Sequence, residues 1–284
     1  MAIDWGTTNR RAYLIEGGEV LATERDDMGI LSIPAGGFPA EVAALHARHG
    51  SLPMLLAGMV GSNRGWRDAG YVPVPASLAD LAAHLTQPEK GIAIVPGVCR
   101  DRDGRQDVMR GEEVQLLGAV AAGLAPADAL LCQPGTHVKW AVMKNGALAD
   151  FTTAMTGEMF ALLKAHALIG SEMTGEVEVN DDFRKGVEAS ADSDLLSALF
   201  GVRAASVLGK RAPGAAAAYV SGLLLGSDCR ARITVAEQPV HLLADGLLAR
   251  LYSAAIATVG GKPVVVDSHA AFVAGITRIW DIKP

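Results

Sequence analysis

A carboxylate, a glycine and two hydroxyls stand together in Asp4-Trp5-Gly6-Thr7-Thr8, with Arg10 and Arg11 just beyond. Glycine lets a backbone approach a ligand closely. Threonine hydroxyls and turn N–H groups donate to phosphate oxygens. A carboxylate at a strand end holds Mg²⁺, usually through water. Successive strand residues face opposite ways, so only one of the two arginines can point at such a ligand; Arg10 is taken as that residue. The pattern recurs once. At a constant offset Gly6 falls on Gly135, Thr7 on Thr136, Arg10 on Lys139, Ala12 on Ala141 and Gly17 on Gly146. Two such hairpins facing one another would clamp the β- and γ-phosphates of a nucleotide, and their basic residues would neutralise charge during transfer. His137, in the second hairpin, is either a further donor or a packed side chain.

Other candidates lie between and after the hairpins. Arg110-Gly111-Glu112-Glu113 opens a helix. Acidic residues there complement the helix dipole, and one of them could also serve as a general base toward a hydroxyl. Asp107 competes for that role, and Arg110 could grip a carboxylate bidentately. Gly58–Trp66 is a glycine-rich loop after an apolar strand, with Tyr71 beyond it. Such a loop suits a sugar-binding rim, which makes Ser62, Arg64, Trp66 and Tyr71 candidate substrate contacts. Thr156 and Glu158, at a helix start, are similar candidates.

Elements that would position these groups follow from the pattern. In each copy an apolar strand enters the Gly-Thr turn, a second leaves it, and Gly17-Gly18 or Asn145-Gly146 leads into a third. Both dipeptides tolerate φ > 0 at the two turn positions. After the first meander the periodicity predicts a helix over 39–49, strands over 52–57 and 92–95, and a helix over about 111–123. After the second it predicts helices over 156–169 and about 215–225, a strand over 240–243, a helix over 247–257, a strand over 264–266 and a closing helix over 270–279. A meander followed by alternating helix and strand implies a mixed sheet flanked by helices. The expectation is therefore an α/β protein of two lobes around a central cleft: residues 1–127, and residues 128–284 with an insertion near 171–210.

Composition narrows the class. Half of the 284 residues are hydrophobic, a fifth are charged, and the net charge is −6. A mildly acidic chain has no field for a polyanion, so no nucleic-acid partner is expected. No apolar stretch reaches membrane-spanning length, so no membrane partner is expected either. Three cysteines without C-x-x-C spacing fit a reduced, cytoplasmic protein. A homo-oligomer is left open.

Taken together, Asp4–Ala12, Met109–Gln115, Pro134–Trp140, Met155–Leu163 and Ser221–Gly226 resemble the 2-dehydro-3-deoxygalactonokinase family, within the actin/hexokinase-like superfamily of sugar kinases. The resemblance runs nearly end to end. It implies two ribonuclease-H-like lobes and an ATP- and Mg²⁺-dependent kinase that phosphorylates 2-dehydro-3-deoxy-D-galactonate at its terminal hydroxyl. It makes Asp4, Gly6, Thr7, Thr8, Arg10, Gly135, Thr136, His137 and Lys139 phosphate-binding residues. It places the nucleotide base in the second lobe, near Ser221-Gly222 and Leu243-Ala244-Asp245-Gly246, with Gly222 and Asp245 as contacts. That last segment departs from the usual glycine pair. A looser likeness to exopolyphosphatases, in which a helix-opening Glu activates water, selects Glu112 as base; an aspartate base, more common in sugar kinases, would be Asp107. Phosphohydrolysis, or binding without turnover, is the alternative function.

Overall fold

The computed structural model describes residues 1–192 and 194–284. Their contacts group into two units: Met1–Asp128 with Ala141–Phe151 and Ser268–Pro284, and Ala129–Trp140 with Thr152–Asp267. The sequence-based division lies one residue from the first of these boundaries. The closing helix, placed with the second half by its position in the chain, packs within the first unit.

In the first unit β1 (Ala2–Trp5), β2 (Arg10–Glu16) and β3 (Glu19–Asp26) form the expected meander. Gly17 and Gly18 turn it with φ of 57° and 87°, the conformation such a two-residue turn requires. Helix α1 (Phe38–His49) carries Pro39 in its first turn and buries Phe38, Val42 and Leu45. Strand β4 (Met54–Ala57) is buried along its whole length, as a central parallel strand must be. Then come β5 (Tyr71–Pro73), α2 (Leu78–Ala83), β6 (Thr86–Glu89), β7 (Ile92–Ile94), β8 (Gly97–Arg102), β9 (Arg105–Met109) and α3 (Glu112–Ala121). The main sheet runs β3-β2-β1-β4-β7-β6, and β5-β8-β9 form a small second sheet.

The rest of the chain repeats the theme, its segment Ala141–Phe151 grouping with the first unit. Strands β10 (Ala129–Gln133), β11 (Val138–Lys144) and β12 (Ala147–Ala154) are followed by α4 (Thr156–His166), α5 (Asp181–Ala189), α6 (Leu195–Val207) and α7 (Ala216–Arg230). Strand β13 (Pro239–Leu243), α8 (Gly246–Thr258) and β14 (Lys262–Val266) complete a sheet of order β12-β11-β10-β13-β14. The chain closes with α9 (Ser268–Ile282).

Each unit contains a helix pair notched by glycines. A Cβ on Gly118 of α3 would strike Ala271 and Gly275 of α9, and one on Gly275 would strike Val114. In the second unit Gly186 of α5 and Gly222 and Gly226 of α7 meet the facing backbone in the same way. The α3–α9 contact fixes the helix whose first turn carries Glu112.

Candidate active site

Strand register decides which arginine joins Asp4. Asp4 pairs with Arg11, and Arg11 pairs with Arg25, so the three share one face of the sheet. Trp5, Arg10 and Asp26 form the adjacent row on the other face. There Arg10 is buried, its guanidinium 4.9 Å from the Trp5 ring centre, with Asp26 at 2.6 Å and Glu41 at 3.0 Å. This corrects the expectation for Arg10: its charge is already neutralised inside the unit, where it braces the hairpin.

The Gly-Thr turn is held open beside that first row. Gly6 N–H donates to Asn9 O at 2.9 Å, and Ile30 and Leu31 N–H donate to Gly6 O and Thr7 O at 3.0 and 3.2 Å. Gly29 runs directly under the turn, where a Cβ would collide with Thr7 and Thr8. The Thr7 and Thr8 side chains are exposed. With Asp4, Gly6, Asn9, Arg10, Arg11 and Arg25 they line an open recess of about 170 Å³, the Arg10 guanidinium itself being held by Asp26 and Glu41. Arg11 is held from behind: its Nη1 lies 2.7 Å from His269 Nδ1, which is also 3.0 Å from the Tyr13 hydroxyl. Burial pushes the Asp4 carboxyl up to about 6; the Arg11 guanidinium opposes the rise and the Glu112 carboxylate adds to it.

Glu112 reaches this neighbourhood because three backbones converge. A Cβ on Gly58 would lie 2.8 Å from Trp5 O, and one on Gly111 would lie 3.1 Å from Gly58 Cα. Both glycines have positive φ, 96° and 104°, a conformation costly to other residues. The end of β1, the end of β4 and the start of α3 are thereby layered against each other. Glu112 accepts from Arg110 N–H at 3.1 Å, and Glu113 accepts from Gly111 N–H at 2.7 Å. Glu113 is fully buried. Its burial, with Glu112 nearby, pushes its carboxyl up to about 8 against the pull of the backbone N–H donors and Arg110. Asp107 sits on β9 in the small sheet, where it accepts from Val108 N–H; the charges that act on Asp4 are Arg11 and Glu112.

The predicted substrate loop is more structural than its composition suggests. Ser62 is buried, its hydroxyl donating to Met59 O and accepting from Arg64 N–H. Trp66, half-buried, stacks on Phe38 and packs against the core, with ring centres 6.2 Å apart. Both are corrected from surface contacts to supports of the loop. Arg64 is exposed, as is Tyr71. Buried Arg110 lies over the Tyr71 ring at 4.4 Å and donates to Gly70 O, while its Nε and Nη1 meet no protein acceptor.

In the second unit the Gly135-Thr136 turn rests on the start of α4. Gly157 packs against Gly135 and Thr136, and Glu158 N–H donates to Thr136 O at 2.9 Å. His137 and Glu158, two predicted site residues, meet at 2.7 Å near the surface. Behind them Asp228 accepts from Trp140 Nε1 and the Thr156 hydroxyl, each at 3.0 Å; burial raises its carboxyl against those bonds. Thr156 is therefore a brace. Lys139 is buried and donates to Thr153 at 2.8 Å. The position that repeats Arg10 is thus turned inward in both hairpins. Gly222, expected at the nucleotide, is buried in the α5–α7 notch. Its role is helix packing. Asp245 is exposed at the carboxyl end of parallel strand β13, just before α8, where α/β sheets present ligands.

No group of three metal-ligating side chains occurs among the described residues. A magnesium ion that arrives with nucleotide phosphates needs only one or two protein carboxylates. Asp4, beside Arg11 and open to the recess it shares with Arg25 and two threonine hydroxyls, fits that need. Arg25, His269 and Gly29 escaped the sequence reading, which set Arg11 beside Arg10 and took Arg10. The hairpin register was the available signal for Arg11. Nothing local marks His269, which lies far along the chain in α9.

The 2-keto-3-deoxy-galactonokinase family model matches residues 4–279. A 2-dehydro-3-deoxygalactonokinase of Escherichia coli K12 is 39% identical over 98% of this chain and 96% of its own. A crystal structure from Sinorhizobium meliloti, assigned to the same enzyme, superposes with a TM-score of 0.90 at 33% identity, covering 98% of this chain and 97% of the other. The Clostridium difficile activator of 2-hydroxyisocaproyl-CoA dehydratase, with bound ADPNP, shares the fold at a TM-score of 0.50 and 14% identity, over 99% and 94% of the chains. With a matching family model and a curated relative both spanning nearly all of it, the chain belongs to the 2-keto-3-deoxy-galactonokinase family.

Proposed function

We propose that the chain transfers the γ-phosphoryl group of ATP to the terminal hydroxyl of 2-dehydro-3-deoxy-D-galactonate. Thr7, Thr8, Arg11 and Arg25 hold the phosphates, and Glu112 is the general base. One observation carries the reading: the Asp4–Arg11–Arg25 row shares a recess with two threonine hydroxyls, and the Glu112 charge acts on its carboxylate.

Magnesium, bound with the nucleotide at Asp4, supplies charge neutralisation of the phosphates. Arg11 and Arg25 oppose the charge that spreads over the transferred group. Glu112 accepts the proton of the sugar hydroxyl as its oxygen bonds to phosphorus and the bond to the ADP oxygen breaks. Glu113 keeps its proton to about pH 8 and adds no second negative charge beside Glu112. Exposed Arg64 is assigned to the substrate carboxylate, with Tyr71 and the buried Arg110 against its ring as further candidates. In the second unit Gly135, Thr136 and His137 are assigned to phosphate, Glu158, paired with His137, to the substrate, and Asp245 to the nucleoside. The cytoplasm is the proposed compartment; the three free cysteines accord with it.

Steady-state kinetics of Glu112→Gln, Asp107→Asn and Asp4→Asn test the roles. Loss of a general base costs roughly 10²–10⁴-fold in kcat with little change in KM. That loss is expected for Glu112→Gln and not for Asp107→Asn; the reverse result makes Asp107 the base. Asp4→Asn is expected to abolish the response to Mg²⁺ with the fold intact, and an unchanged kcat at saturating Mg-ATP contradicts its role.

A further inference from the structure

Helix α6 belongs to the inserted segment that the catalytic reading leaves unused. It is apolar almost all round, a pattern proper to helices covered on every side. Leu199 and Val202 are buried against α7 and the turn Leu168–Ser171. The opposite side is uncovered. Leu196, Phe200, Val207 and Leu208 are 79%, 70%, 68% and 69% exposed. At 100° per residue these four fall, with Ser197, Gly201 and Ala204, in one sector of the helix that contains no charged side chain. The cation at its edge, Arg203, is already paired with Glu172. Leu168, in the turn packed beside α6, is 85% exposed.

The sector is self-complementary. Gly201 is the central residue of Leu195–Val207, and a Cβ added there would meet nothing within 4 Å. A glycine inside a helix costs about 1 kcal/mol relative to alanine, and packing within this chain does not explain it. It does suit close approach by a second helix. Phe200 is a large projection; Ser197, Gly201 and Ala204 beside it form a shallow depression. In an antiparallel pair related by a two-fold axis near Gly201, each Phe200 enters the other's depression, because a two-fold contact joins a patch to itself. The five exposed side chains present on the order of 600 Å² of apolar surface, the upper end for a monomer and most of the roughly 800 Å² each partner buries in a standard interface.

We propose that the charge-free outer face of α6, centred on Gly201, is the surface through which two copies of this chain associate. The inference does not depend on the substrate or on the catalytic assignments. Light scattering coupled to size exclusion tests it on the full chain at micromolar concentration. The wild type is expected at twice the chain mass, and Phe200→Glu at the chain mass with wild-type circular dichroism and kcat. Gly201→Cys gives a second reading if Phe200→Glu folds poorly. Under mild oxidation it is expected to form a covalent dimer that reductant reverses, while oxidised wild type does not. A wild type at the single-chain mass overturns the proposal, including one that instead binds phosphatidylglycerol vesicles. So does a dimer that persists in folded Phe200→Glu, or, where that variant does not fold, a Gly201→Cys that yields no covalent dimer.

Discussion

Replacing Glu113 by Gln should change how stability depends on pH. The Glu113 carboxyl is fully buried and titrates at about 8 in the folded chain, against an ordinary value of 4.5. Between those values the folded state keeps a proton that the unfolded state has released. Stability therefore falls as pH rises through this window, by up to about 1.4 kcal/mol per pH unit from this one group. From pH 5 to pH 7 the loss is about 3 kcal/mol on this basis. Glutamine keeps an oxygen for the Gly111 N–H and has no proton to lose. Melting temperatures of the two proteins, measured from pH 5 to pH 8, should converge at the acid end and separate toward neutrality. The separation should grow by roughly 5–10 °C, at 2–4 °C per kcal/mol for a chain of this size. Asp4 titrates upward as well, but it is common to both proteins and cancels in the difference. Parallel curves would refute the reasoning and mean that Glu113 is either solvated or ionised throughout.

Arg11→Met removes a recess cation and the neighbour that opposes the rise at Asp4. KM for Mg-ATP should increase at least tenfold, and the acid limb of its pH dependence should move to higher pH; a normal KM contradicts the register argument. His269→Ala releases Arg11 from behind and should raise the same KM more modestly, with His269→Asn recovering part of it; equal values for all three proteins oppose a positioning role. Gly222→Ala puts a methyl group into the α5–α7 notch. It should cost about 1–3 kcal/mol by denaturant titration and leave KM for ATP unchanged in the folded fraction; a raised KM with normal stability would restore Gly222 to the nucleotide site.

Much of the fold could be read from local pattern. The Gly-Thr repeat and the Gly17-Gly18 and Asn145-Gly146 turns located both meanders, and 3.6-residue periodicity located α1, α3, α7 and α8 within a few residues. The small sheet β5-β8-β9 was missed because its strands are short and largely polar. The closing helix was found, but its glycine-notched contact with α3 lies far away in sequence and has no local signature. The site was legible by type and misread by side. Asp4, Thr7 and Thr8 stand out by residue chemistry alone, whereas Glu112 is singled out from Glu113 and Asp107 only by a family likeness. Choosing between Arg10 and Arg11 required the register that pairs Asp4 with Arg11. Trp66, Ser62 and Gly222 looked functional because aromatic, hydroxyl and glycine residues serve packing and binding alike, and only burial separates the two uses.

The most direct test of the central claim is ADP release from Mg-ATP, measured with 2-dehydro-3-deoxygalactonate, with its gluconate epimer and with no acceptor. The proposed chemistry predicts turnover that requires the keto-deoxy acid, favours the galactonate form and falls to background without acceptor. Equal release of ADP and phosphate in the absence of any sugar acid would contradict it.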